Sequence, residues 1–171
     1  MQEAEPKRAH AAVPVRWHLI GHVQRNKAPS AVSFDLVHSL DSDRLAAALN
    51  TAAAQAGRVC DVLVQVNVSG EESKFGVPAA EVAAFADRLL SHGALRVCGV
   101  MTMAPFDADE RTLRRVFAGA RDCGASVRAA GHAGTVLSMG MSDDFEIAVE
   151  EAATHVRLGT MLFGARERLH A

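Results

Sequence analysis

The sequence predicts an α/β fold, with one parallel sheet flanked by helices, and three observations carry that prediction. Six short β-type runs alternate strictly with helical patterns, and no second composition zone or low-complexity stretch interrupts them. The run Cys60–Val68, CDVLVQVNV, is apolar almost throughout, as a parallel strand buried on both faces must be. Two strand ends rich in Gly and small hydroxyls, in LSMGMSDDFEIAVEEAATHVRLGTMLFG between Leu137 and Gly164, bracket a short amphipathic helix. Alternation alone fits an open doubly wound sheet as well as a closed barrel. In eight-stranded (β/α) barrels, however, the phosphate site usually forms at the last two strands. The third observation therefore favours a TIM-barrel-like (β/α)8 domain, here incomplete, with about six of the eight βα units.

Each element follows from local pattern. Residues 1–14 carry Pro6, Pro14 and several charges and read as an irregular lead-in to a single domain spanning residues 1–171. Val15–His22 is the first strand, and VQRNKAPSAV is a loop leading into a short helix. Phe34–Leu40 is the second strand. Asp41 or Ser42 caps the helix after it, Leu45, Leu49, Ala52, Ala53 and Ala56 form its apolar face, and Gly57 ends it. After Cys60–Val68 comes the loop SGEESKFG. Pro78 then opens a helix with Val82, Phe85, Ala86 and Leu89 inward. Leu95–Met103 is a strand, and Leu113, Val116, Phe117 and Ala120 mark a helix expected to stop at Gly124. Thr135–Met139 is the fifth strand. Asp143 and Glu146 fit a capping box for a helix whose inward face is Phe145, Ala148, Val149 and Ala152. His155–Phe163 is the last strand.

Composition narrows the function classes. The chain has 171 residues, 49% of them hydrophobic, enough for one sizeable core, and a formal charge of −2 gives no basic surface for nucleic acid. No apolar run approaches the roughly 20 residues of a membrane span, and the polar start resembles neither a signal nor a transit peptide. Cys60, Cys98 and Cys123 are odd in number and widely spaced, which points away from a disulfide framework or zinc site and toward a reducing, cytoplasmic setting.

The Leu137–Gly164 stretch reads as an anion corner, because free backbone N–H groups at a helix start and small hydroxyls suit a phosphate. Other candidates are weaker. His18 and His22 are four apart, a metal-like spacing on a helix but not in a strand and turn. The acidic run Asp143, Asp144, Glu146, Glu150 and Glu151 reads as a solvated helix face. Arg157, among apolar neighbours, is either a paired structural arginine or a site group.

Five blocks, WHLIGHVQRNK, DLVHSLDS, VLVQVNVSGEESKFG, GVMTMAP and the Leu137–Gly164 stretch, resemble in order and spacing the YggS/PROSC family of pyridoxal phosphate homeostasis proteins. The resemblance covers nearly everything from Trp17 to Gly164. It implies the barrel of the alanine racemase N-terminal domain and a monomer that binds, carries or buffers pyridoxal 5′-phosphate without catalysis, with apo-enzymes as possible acceptors. It also implies that Arg157 faces the pyridine nitrogen, that Ser138, Gly159 and Thr160 contact the phosphate, and that Met103 and His18 lie beside the cofactor. Ser142 is expected to serve the local turn.

In one respect the chain departs from this family. It starts near the point reached after the strand that bears the Schiff-base lysine in a V-S-K-T-like context, so that lysine and two strands are expected to be missing. Lys7, Lys27 and Lys74 all fall in the lead-in or in loops. Lys74, on a βα loop, is a candidate for handing the cofactor on. An incomplete barrel is expected to expose unpaired edges, which leaves a non-functional fragment among the readings. A racemase or decarboxylase on the same barrel fits less well, because the chain has no Tyr to act as a second base. A phosphate-binding barrel enzyme of another chemistry finds no acid–base pair at the strand ends.

Overall fold

In the computed structural model of the protein, residues 10–71 and 74–164 are described. Residues 10–14 form neither helix nor strand, and the rest of the lead-in, with Lys7, lies outside the described residues.

The strands are β1 (His18–Leu19), β2 (Leu36–Leu40), β3 (Cys60–Asn67), β4 (Val77–Pro78), β5 (Leu95–Met101), β6 (Val136–Met141) and β7 (His155–Arg157). The helices are α1 (Ala28–Ala31), α2 (Asp43–Gln55), α3 (Val82–Leu89), α4 (Glu110–Ala129), α5 (Phe145–Glu150) and α6 (Thr160–Phe163). The sheet runs β1-β2-β3-β5-β6-β7 with every pairing parallel, and the two-residue β4 adds to β3 beside this path. The rings of His18 on β1 and His155 on β7 lie only 5.9 Å apart. The sheet therefore curls until side chains from its two ends meet, giving a half-barrel of TIM type. No helix among the described residues is long and apolar enough to cross a membrane.

Two layers form on opposite faces of this sheet. Outside, Val37, Val62, Val64, Val97 and Val100 pack against Leu45 and Leu49 of α2, Phe85 and Leu89 of α3 and Val116 and Phe117 of α4, all buried. The helix stripes read from the sequence supply this layer, as residues spaced by three or four must. Inside, Leu36, Leu63 and Met101 form a separate small cluster. Two residues further along β2 and β3 the inner face turns polar, with His38 and Gln65 buried, and Ser138 of β6 is buried on the same face.

Several boundaries differ from the sequence expectation. β1 is far shorter than Val15–His22. Just before it, the Trp17 backbone N–H donates to the Asp35 carboxylate, and Asp35 N–H returns to Trp17 O at 2.8 Å, so a side chain shares the job of a ladder there. The helix expected to stop at Gly124 continues as α4 to Ala129. Gly124 serves packing instead, since a Cβ there would come within 3.0 Å of Leu137 on β6. The stretch taken as one strand, His155–Phe163, divides: only His155–Arg157 is extended, and Thr160–Phe163 is helical.

Ser42 caps α2 as expected, accepting from Leu45 N–H, but the Asp143–Glu146 box does not form. Asp144 occupies the cap position of α5 and its carboxylate accepts from Met141 N–H, because the chain turns tightly at Gly140 and brings the strand end beside it. Gly140 has φ +94° and a Cβ there would meet Ala148 at 2.7 Å, so only glycine lets α5 fold back this closely. Of the expected inward face of α5 only Ala148 is buried, and Val149 is 54% exposed.

Candidate functional site

The polar inner layer sits toward the carboxyl ends of the strands, where (β/α) barrels place their sites. Its centre is Arg157, the last residue of β7, 9% exposed. Its Nη1 donates to Ser138 Oγ at 2.9 Å and its Nη2 to the Thr102 carbonyl at 2.9 Å. Its Nε–H is buried and has no partner among the described residues. Burial pushes the guanidinium pKa down, against a raising influence from Asp144. A cation held there by two neutral acceptors, with Nε–H unmatched, is an unfinished arrangement.

Thr102 is itself fixed. Its hydroxyl donates to Val66 O at 2.9 Å and its N–H to Ser138 O at 3.1 Å, so β3, β5 and β6 all hold the carbonyl that Arg157 uses. On the other side of Ser138, His38 Nδ1 lies 3.0 Å from the Ser138 hydroxyl, and His38 Nε2 lies 3.1 Å from His18 Nδ1. Burial chiefly, then the neighbouring His18, Arg157 and His155, pushes His38 down to about 3. His18 is also lowered, by burial first and then by His155 and Arg16, with Asp35 opposing.

A cavity of about 410 Å³ opens beside these groups, lined by His18, His38, Met141, His155, Arg157 and Gly159 among others. At its rim the backbone N–H groups of Gly159 and Met161 donate to Ser142 Oγ at 3.2 and 3.3 Å. This lies within the stretch read from the sequence as an anion corner, and here Ser142 holds the two amides. Ser138 is buried and committed to Arg157 and His38, and Ser142 is the serine that meets the amides. A Cβ on Gly159 would find no heavy atom within 4 Å, so open space adjoins that backbone.

Of the residues expected to form the site, His18, Arg157 and Gly159 share the cavity, and Ser138 stands behind Arg157. Thr160 is exposed at the start of α6. Met103 lines a different cleft, of about 240 Å³, with Phe106 and Asp144, and Met141 borders both. His18 and His22 part company: His22 Nδ1 approaches the Asp41 carboxylate at 3.4 Å and its ring stacks on Phe75 at 4.4 Å. Lys74 Nζ lies 3.0 Å from the Glu71 carboxylate, whose pKa the lysine lowers, and Lys27 belongs to a one-turn 3-10 helix. Neither lysine is on a strand. Cys60 and Cys123 are buried, and burial raises both thiols to about 11, the wrong direction for a nucleophile.

Sequence reasoning passed over His38, Thr102 and the role of Ser142. The signal for His38 was present in LVHSL, where a histidine two residues after Leu36 must share its face.

The family model described as alanine racemase, N-terminal domain, matches residues 1–167. The chain belongs to this family. Within it, the pyridoxal phosphate homeostasis protein of Pseudomonas aeruginosa is 39% identical over 169 residues, covering 98% of this chain and 72% of the relative. The protein of the same name from Aquifex aeolicus is 39% identical over 155 residues, 90% of this chain and 68% of the relative. PipY of Synechococcus elongatus, solved with PLP bound, superposes with a TM-score of 0.86 at 36% identity over 95% of this chain and 78% of its own. Alanine racemase of Clostridium difficile, at 13% identity and a TM-score of 0.79 over 98% of this chain and 44% of its own, shares the fold. The chain is thus a pyridoxal phosphate homeostasis family member on an alanine racemase-type half-barrel.

Proposed function

We propose that the protein binds pyridoxal 5′-phosphate and serves its homeostasis as a carrier or buffer, not as a catalyst. The observation that carries this reading is the unpartnered, buried Nε–H of Arg157 beside the cavity. A guanidinium has donors only, so the group it seeks is an acceptor, and an unprotonated pyridine nitrogen is one. When bound, the cofactor supplies a reactive aldehyde and an electron-withdrawing ring. An arginine at the ring nitrogen keeps that nitrogen unprotonated and weakens the withdrawal, which favours holding over transforming.

The remaining residues have matching roles. Ser142, whose Oγ accepts from the Gly159 and Met161 amides, keeps its own O–H to donate and with the Thr160 hydroxyl receives the phosphate, and the open space beside Gly159 admits it. His18 borders the ring from β1, whereas Met103 lines the neighbouring cleft, which shares Met141 with this cavity. Ser138, which the sequence suggested as a phosphate contact, supports Arg157. Binding is taken as non-covalent, because neither lysine among the described residues, Lys27 nor Lys74, sits on a strand. The names of the curated relatives and the PLP-bound PipY structure support the choice of cofactor. Apo-enzymes in the cytoplasm are the acceptors this reading implies.

Titration of the full chain with pyridoxal phosphate, followed by absorbance and then by borohydride reduction and peptide mapping, tests the reading. Saturable binding without a stoichiometric lysine adduct is expected. An adduct on one lysine would overturn the non-covalent mode, and absence of saturable uptake would overturn the cofactor.

A further inference from the structure

We propose that His38 is a positioning residue for the cofactor site, within a one-way hydrogen-bond string that donates from Arg157 to Ser138 to His38 to His18 and fixes how the guanidinium is presented. The functional half of this rests on the pyridoxal phosphate reading; the string itself does not.

The direction of the string follows from counting protons. Arg157 Nη1 can only donate, so Ser138 Oγ accepts from it at 2.9 Å. The single Ser138 proton must then go to a second neighbour, and His38 Nδ1 at 3.0 Å is the one at hand. That makes Nδ1 an acceptor, puts the His38 proton on Nε2, and sends it to His18 Nδ1 at 3.1 Å. His18 in turn carries its proton on Nε2, on a ring that borders the cavity. Every proton in the string then has an acceptor as far as His18.

The alternatives each lose a bond. If His38 carried its proton on Nδ1, both neighbours would donate to Ser138 Oγ and the serine proton, in a residue 1% exposed, would be left unmet. Orphaning a buried donor costs about 1–3 kcal/mol. A doubly protonated His38 would give Ser138 the same fault and place a cation amid His18 of β1, His155 and Arg157 of β7, with Arg16 close to His18 as well. The acidic groups nearby, Asp35 at His18 and Asp144 at Arg157, face the ends of the string, not its middle.

What the string does is turn the Ser138 lone pair toward Nη1. Together with the Thr102 carbonyl on Nη2 this anchors both outer nitrogens and leaves Nε as the guanidinium nitrogen with no partner among the described residues. Without an acceptor at His38, the serine hydroxyl is free to rotate, and the guanidinium loses one of its two anchors.

Long-range proton–nitrogen NMR of the histidines in the ligand-free full chain reads the string directly. At pH 7 His38 is expected in the Nε2–H form, with no protonation down to pH 5, and Ser138→Ala is expected to mix its tautomers. An Nδ1–H form, titration near pH 6.5, or no change in Ser138→Ala overturns the string. The functional half is read by pyridoxal phosphate affinity and by the absorption band of the bound cofactor, which reports the state of its ring nitrogen. His38→Leu is expected to weaken binding about tenfold and move the band, whereas His38→Asn, whose amide oxygen replaces Nδ1 as acceptor, stays within about threefold of wild type. Equal affinities and bands in all three proteins overturn the positioning role. Failure of wild type to bind at all, with the expected tautomers present, overturns the cofactor reading and with it the functional half, but leaves the string standing.

Discussion

The two faces of the one sheet are built on opposite principles. The outer face is aliphatic and aromatic, and its residues are interchangeable in kind: Val62, Val64, Leu49, Phe85 and Phe117 each contribute area and shape. The inner face toward the carboxyl ends holds His18, His38, Ser138 and Arg157, each with a named partner, so that removing one group changes what its neighbours must do. Burial outside stabilises in proportion to area, while burial inside costs desolvation that only matched hydrogen bonds offset. Stability should therefore be set mainly by one face and ligand binding by the other.

The sharpest way to break that division is Phe117→Ala. The ring is fully buried, and its loss should lower stability by about 3–5 kcal/mol in a denaturant titration, while ligand affinity measured well below the transition stays near wild type. A large loss of affinity at full folding would show the faces to be coupled.

Arg157→Met tests the other face. Pyridoxal phosphate affinity should fall at least tenfold by absorbance titration, the loss of a charged hydrogen bond of about 1.5–3 kcal/mol. Stability changes less than in Phe117→Ala, because a buried, incompletely paired cation is being replaced by an apolar chain of similar length.

The comparison is sharpened by pH. His38 is about 3 in the folded chain against an ordinary value near 6.5, so between those values the unfolded chain binds the extra proton. Stability is therefore complete above about pH 6.5 and falls as pH falls toward 3, by up to about 1.4 kcal/mol per pH unit. His38→Gln should flatten that slope in denaturant titrations across this window, leaving the part due to His18, whose value is also lowered. Phe117→Ala should shift the whole curve and leave the slope alone.

The smallest effect is expected outside both layers. Arg114 on α4 pairs with Glu110, Glu150 and Glu151 and so ties α4 to the end of α5, but it is solvent-exposed. Arg114→Ala should move the denaturation midpoint slightly at low salt and not measurably in 0.5 M salt (about a 4 Å screening length).

Much of this molecule is legible in the chain. The helix stripes, the Ser42 cap and the near-continuous Cys60–Asn67 strand are local in origin, since period, cap chemistry and burial on both faces leave direct traces in a run of residues. The block order carries the family, and Gly and hydroxyls at two strand ends mark the stretch where Ser142 meets the Gly159 and Met161 amides.

Side chains that act across the sheet leave no such trace. Gly124 looks like a helix stop, yet its missing Cβ makes room for Leu137 inside a helix that runs on to Ala129. Ser138 and Ser142 are indistinguishable by composition. The turn at Gly140 lets Ser142 meet the Gly159 and Met161 amides and leaves Ser138 facing His38, a residue one hundred positions away.

By itself, then, the sequence determined the α/β class, the alternation of parallel strands with helices and the family, because each is written in local period or in the order of short blocks. Tertiary structure alone decided which serine meets the Gly159 and Met161 amides, why Arg157 Nε is left without a partner among the described residues, and that His38 comes within hydrogen-bond reach of Ser138. Those depend on strands β2, β6 and β7 closing toward one another, and hydrogen-bond partners that far apart in the chain are fixed by the curvature of the sheet, not by any spacing along it.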